Sequence, residues 1–214
     1  MLYLIMCGGT YANWKYPKQL SMIHGEPLVA RTIRLLRENG VDDIGISTND
    51  STFAQFGVTL YKHPNEYNNK DKNGLWVNCF YPTSRPTCYL MGDVVYSPNA
   101  IKTIVETETD DIEFFASAPP FSKQYSKKWA EPFAFKVQTV YRFEACIQTV
   151  KDAHLIYHAF KRPPIAWELW QVIKGTPLNK IDYTNYTVIN DYTCDIDEPS
   201  DIYKFEGGEE WHTI

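Results

Sequence analysis

Three places in this chain carry residue types suited to phosphate and metal chemistry. The first is "CGGTYANWKYPKQL", residues 7–20. Paired glycines, Gly8 and Gly9, let a backbone come close to a ligand and turn its N–H groups toward oxygens. Lys18 follows Pro17, whose ring fixes its own φ and keeps Tyr16 extended. A lysine held this way can set a point charge on a triphosphate, and Lys15 stands close before it. The second place is Asp93, delivered by the apolar run "CYLMG". A carboxylate there suits Mg²⁺ that is also bound to substrate phosphates. The third is "CDIDEPSD", residues 194–201. Asp195 and Asp197 are two apart, so they share a face of an extended segment, and one of them can complete a Mg²⁺ site with Asp93. Asp197 before Glu198-Pro199 is also a sound helix N-cap. Each feature has a plain structural alternative: a glycine turn, a surface lysine, a turn aspartate.

Other constellations are weaker. Neither the P-loop pattern nor the G-x-G-x-x-G fingerprint occurs. His154 and His158 are spaced i, i+4, but no glutamate lies between them as in H-E-x-x-H, so a packed helix face is expected. "FKRPPIAWELW" offers Arg162, Trp167, Glu168 and Trp170, which suit a core or partner-facing surface better than an organic-cation site.

These side chains need elements to place them. Leu2 to Met6 reads as a buried strand closed by glycines. "GEPLVARTIRLLRENG" reads as a helix with Pro27 in its first turn, Leu28, Val29, Thr32, Ile33 and Leu36 on one face, and Gly40 as its stop. "DDIGIS" and "GVTLYK" read as strands, residues 64–74 as a polar loop, and "LWVNCFY" as helix or strand. "TCYLMGDVVY" holds a strand ending at Gly92-Asp93. "SPNAIKTIVE" is a helix with Ser97 as cap and Pro98 just inside. "DIEFFASA" is a strand, and "EPFAFKVQ" alternates as an antiparallel strand does. "VYRFEACIQTVK" reads as a helix, "NYTVIND" as a strand and "EPSDIYKFE" as a short helix. Strand, helix, strand argues an α/β fold with a mainly parallel sheet. Ligands of such sheets bind beyond the carboxyl ends of the strands, and both the glycine loop and Asp93 fall at such ends.

The whole chain has 214 residues, enough for one domain over 1–214 and short for two. A net charge of −5 excludes the broad basic footprint of a protein that binds long nucleic acid. The densest basic cluster, Lys123 to Lys128, reads as a solvated loop. Five scattered cysteines, with no C-x-x-C, argue against a disulfide framework or structural zinc and point to a reducing compartment. No apolar run is long enough for a membrane span, so a cytoplasmic protein is expected.

The ordered set resembles the nucleotidyltransferases of the nucleotide-diphospho-sugar transferase fold. The matching elements are "MCGGT", "YPKQL", "GEPLVARTI", "YLMGDVVY" and "DIDEPSD". "PKQL" is similar to methylerythritol-phosphate cytidylyltransferases, while "MGDVVY" looks more like phosphocholine and sugar-phosphate nucleotidyltransferases. The chain departs from the family's G-x-G-x-R: Tyr11 takes the place of the second glycine and Asn13 that of the arginine, for which Lys15 could stand in. The resemblance implies a single-domain, three-layer α/β/α fold with a mainly parallel mixed sheet. It implies transfer of a nucleoside monophosphate from an NTP, CTP being favoured, to a phosphorylated small molecule, with release of pyrophosphate. Capsule, lipid-headgroup and cell-wall precursors all qualify as acceptors. Cys7, Gly8, Gly9, Thr10, Lys15 and Lys18 would face the nucleotide. Lys18, Asp93 and Asp197 would serve catalysis, and Asp93 and Asp197, with Asp195, would hold Mg²⁺. Two further readings stay open: a glycosyltransferase of related fold that uses a nucleotide-sugar, and a nucleotide-binding homologue without catalysis.

Overall fold

The structure, a computed structural model, describes residues 1–8, 13–62, 76–119, 130–160, 163–179 and 181–206. In chain order the elements are β1 (Leu2–Met6), β2 (Met22–Ile23), β3 (Glu26–Pro27), α1 (Leu28–Glu38), β4 (Ile44–Ser47), β5 (Thr59–Tyr61), β6 (Thr87–Met91), β7 (Val94–Val95), α2 (Pro98–Glu106), β8 (Ile112–Ser117), β9 (Pro132–Val137), α3 (Val140–Leu155), α4 (Ala166–Lys174), β10 (Thr187–Ile189), β11 (Cys194–Asp195) and α5 (Tyr203–Glu206). Seven strands form one sheet in the order β10-β8-β9-β6-β1-β4-β5. β9 runs antiparallel to both neighbours, and every other pairing is parallel. This is the mainly parallel mixed sheet expected of the sequence.

β1 and β6 are adjacent, and every residue of both is buried. Their unbroken apolar runs follow from cover on both faces, which removes any need for a polar side. α1 packs on α2, and α3 on α4 and the turn Trp76–Cys79. α1 buries Leu28, Val29, Thr32, Ile33, Leu35 and Leu36, and the chain leaves it through Gly40 at φ +77°. α2 opens on Ser97, whose Oγ accepts the Ala100 N–H at 2.8 Å. An aromatic seam runs between the sheet and α3 and α4. Phe114 stacks on Phe135 at 4.4 Å, and Phe80 meets Tyr89, Phe135 and Phe143 edge-on. Such pairs contribute about 0.5–1.5 kcal/mol each beyond area burial. A second, smaller core joins Ile23, Leu28, Val95, Ile196 and Phe205, with Trp14, Tyr192, Cys194 and Ile202 packed against it.

Several elements differ from the sequence reading. Pro27 stands one residue before α1 and pairs with Met22 in a two-stranded hairpin. "LWVNCFY" yields a 3₁₀ turn at Trp76–Cys79. β9 is buried beyond its alternating face, because Lys136 turns inward and donates to the carbonyls of Ile104, Val105 and Thr107 at the end of α2. α3 ends at Leu155 and His158 lies beyond it at φ +50°, so the two histidines share no helix face. Trp167, Glu168 and Trp170 of α4 are buried in the core. The cap of the last helical segment falls on Glu198 rather than Asp197. Asp201 Oδ2 accepts the N–H groups of both residues at 3.0 and 2.9 Å, and Asp197 is left to point elsewhere. Gly9, Thr10, Tyr11, the polar stretch 64–74, the Lys123–Lys128 cluster and Arg162 lie outside the described residues.

Candidate active site

The site begins where β1 and β6 end. Met6 is in register with Met91, and the Gly92 N–H donates to the Met6 carbonyl at 3.1 Å. A side chain at residue 92 would put its Cβ 2.1 Å from that same oxygen, so only glycine lets the two strand ends approach this closely. Asp93 follows at once, with a carboxylate that is partly exposed.

The late segment is laid along this strand end. β11 pairs antiparallel with β7, Asp195 opposite Val94, and the Ile196 N–H donates to the Asp93 carbonyl at 2.9 Å. Ile196 is buried in the second core. Its neighbours Asp195 and Asp197 alternate to the other side, as an extended backbone requires.

Lys18 opens a 3₁₀ turn, Lys18–Leu20, directly after Pro17. Its side chain is 4 % exposed. The ammonium sits 2.7 Å from Asp93 Oδ2, donates to the Ile196 carbonyl at 2.8 Å and lies 3.9 Å from Asp197 Oδ1. Three residues singled out from sequence, far apart in the chain, thus converge on one charge.

The electrostatics follow from this crowding. The Asp195 carboxyl is pushed up to about 8, first by burial and then by Glu131, Asp197 and Asp93, with Lys18 opposing. Asp197 is raised as well, by burial, with Lys18 pulling it down and Asp93 pushing it up. Its side chain is 68 % exposed, so water screens most of this, and its distance to Lys18 is the better guide to its role. Burial and Asp93 hold the Cys7 thiol well above its ordinary value.

The other expected residues are placed as follows. Cys7 is buried, and its N–H is committed to the Ser47 carbonyl at 2.9 Å, so it offers position rather than a donor. Gly8 is half-buried at the site edge, and Lys15 is exposed. Asp93 and Asp197 both address the Lys18 charge. Their hard oxygens fit Mg²⁺, provided substrate phosphates and water complete its shell. Among the described residues no group of three or more His, Cys, Asp or Glu side chains is arranged to hold a metal.

Sequence reasoning missed several contributors. Asn13 Nδ2 donates to both Glu198 carboxylate oxygens at 3.1 Å, and Trp14 Nε1 donates to the Asp197 carbonyl at 3.0 Å. Gly92 was visible beside Asp93, but its contact with Met6 was not. Glu131, which helps raise Asp195, carried no local signal.

The sheet order leaves β1 for β4 on one side and β6 on the other, and the lysine–carboxylate cluster stands outside the carboxyl ends of those strands. That makes the molecule an α/β protein with this cluster at a topological switch point of the sheet, where open sheets of this class take their ligands. A family model for the MobA-like NTP transferase domain matches residues 3–162, and the chain belongs to that family. The match ends before the segment that supplies Asp197.

No curated protein matches the chain. Among solved structures, a Bacillus anthracis protein described as a glucose-1-phosphate thymidylyltransferase, in complex with a sucrose, superposes with a TM-score of 0.62 at 12% identity over 100% of this chain and 96% of its own. The inositol-1-phosphate CTP transferase of T. maritima gives 0.54 at 14% identity, covering 96% of each chain. The CTP:phosphocholine cytidylyltransferase of Streptococcus pneumoniae gives 0.52 at 15% identity, covering 96% of this chain and 97% of its own. At such identities the likeness is one of fold.

Proposed function

We propose that this chain, read as one domain, transfers a nucleoside monophosphate from an NTP, CTP being the favoured nucleotide, to a phosphorylated small molecule. One observation carries the reading: Lys18, Asp93 and Asp197 meet outside the carboxyl ends of β1 and β6. A phosphate oxygen of the acceptor attacks the α-phosphorus and forms a new P–O bond. The α–β anhydride bond breaks, and its electron pair leaves with pyrophosphate. Such a reaction asks the protein for position and charge rather than a covalent nucleophile. Lys18 supplies fixed positive charge beside the triphosphate, and the role of backbone donors to it is assigned to Gly8, Gly9 and Thr10 from the family resemblance alone, Gly9 and Thr10 lying outside the described residues. Asp93 and Asp197 would hold Mg²⁺, and the ion would supply positive charge to neutralise the phosphates during transfer. Asp195 stands behind them on β11.

All five cysteines are free and four are buried. This supports a reducing, cytoplasmic setting. Among the described residues no helix is long and apolar enough to cross a membrane.

The test is pyrophosphate release across the four NTPs with a panel of phosphorylated metabolites, alongside a thermal-shift screen with Mg²⁺. Turnover that Asp93→Asn abolishes, with the fold retained, is the expected result. A clean preparation that binds no NTP with Mg²⁺ overturns the proposal. Binding without pyrophosphate release under any acceptor would leave a nucleotide-binding protein, not an enzyme.

A further inference from the structure

The loop that carries Lys18 and the segment that carries Asp197 are joined rung by rung. Asn13 holds the Glu198 carboxylate, Trp14 the Asp197 carbonyl and Lys18 the Ile196 carbonyl. Three successive residues of the late segment thus take bonds from one early loop. The Asp197 backbone is held at both ends, its N–H by Asp201 and its carbonyl by Trp14. Only its carboxylate remains to turn. The Trp14 ring is itself anchored, packed against the small core of Ile23, Leu28, Val95, Ile196 and Phe205.

We propose that Asn13 and Trp14 are positioning residues for nucleotidyl transfer, Asn13 holding the Glu198 side chain and Trp14 the Asp197 carbonyl, so that the Asp197 carboxylate faces the Lys18–Asp93 pair. This rests on the function proposed above. It gives a purpose to an amide that stands where the resembling enzymes carry arginine: Asn13 addresses the protein's own carboxylate. A residue that orients a metal-binding side chain through its backbone typically changes metal affinity or activity by about 10–100-fold when lost. The indole bond can be removed without the ring, since Trp14→Phe keeps an aromatic side chain in the small core. The amide bond can be reversed, since Asn13→Asp with Glu198→Gln exchanges donor and acceptor.

The experiment measures Mn²⁺ binding to the full chain by electron paramagnetic resonance, with the α,β-methylene analogue of each of the four NTPs, and thermal unfolding in parallel. Trp14→Phe and Asn13→Asp should each weaken Mn²⁺ binding about tenfold or more. In Asn13→Asp alone two carboxylates oppose each other; adding Glu198→Gln should recover most of the loss. Three outcomes overturn the proposal alone: unchanged Mn²⁺ affinity, losses that only track the melting temperature, or a reversed pair that recovers nothing. A wild-type chain that binds no Mn²⁺–nucleotide pair overturns the proposed function, and this role falls with it.

Discussion

Gly92→Ala is the sharpest test of how the site is built. The added Cβ would lie 2.1 Å from the Met6 carbonyl oxygen and 2.8 Å from its carbon, where ordinary contacts begin at 3.4 Å. The obstruction is backbone, so no rotamer change relieves it. Either the 3.1 Å bond from the Gly92 N–H to Met6 opens, or the ends of β1 and β6 part. Overpacking costs about 1–3 kcal/mol where side chains can give way, and a clash with a strand backbone belongs at about 3 kcal/mol. In a chain of this size each kcal/mol lowers Tm by about 2–4 °C, so a fall of about 6–12 °C is expected. Gly40→Ala is the comparison. It has φ +77° and nothing within 4 Å of the added carbon, so it carries only the left-handed backbone strain, about 1–2 kcal/mol. Circular dichroism melts of both variants, with and without Mg²⁺–NTP, measure the difference. Because Asp93 directly follows, Gly92→Ala should also lose the ligand-induced rise in Tm. A Gly92→Ala protein melting within about 2 °C of wild type would refute the claim that this glycine sets the approach of the two strands.

Three further outcomes are expected. Lys18→Met removes the charge between Asp93 and Asp197 and should lower pyrophosphate release about 100-fold or more; near-normal turnover would remove Lys18 from the mechanism. Burial, with Glu131, Asp197 and Asp93, pushes the Asp195 carboxyl up from 3.8 to about 8, so folding takes up a proton between those values. Its stabilising contribution is full below pH 4 and is lost as pH rises toward 8. Asp195→Asn should therefore melt with a shallower fall in Tm between pH 5 and 8, and slopes equal to wild type would count against this. Lys136→Met leaves the carbonyls of Ile104, Val105 and Thr107 without their buried donor, a cost of about 1–3 kcal/mol in thermal or urea unfolding. An unchanged unfolding midpoint would show that water replaces the ammonium.

Much of the scaffold could be read from local pattern. β1 and β6 announce themselves as short apolar runs because central strands are covered twice. α1 and α2 do so through helical spacing and through Ser97-Pro98. Lys18 and Asp93 could be placed because they follow strand ends, where α/β sheets take ligands. What escaped was set by contacts distant in sequence. The reason for Gly92 is Met6. Asn13 and Trp14 matter through residues 185 and 183 positions away. The cap expected at Asp197 moved because Asp201 reaches back to two N–H groups, a choice local spelling leaves open. Lys136 looked like the polar half of an alternating strand, but a long aliphatic stem can carry an ammonium through the core to the end of a helix. The histidine pair failed for a simpler reason: the helix stops before its second member.

The 178 positions that separate Lys18 from Ile196 also bear on how the protein is made. Synthesis is vectorial, and early segments can fold before late ones exist. Once Ile189 has left the ribosome, all seven strands of the main sheet are present. β11 and Asp197 are not. A nascent or prematurely released chain of that length would hold the sheet but have no second carboxylate beside Lys18. Under the function proposed above, such a chain would lack one of the two carboxylates assigned to Mg²⁺.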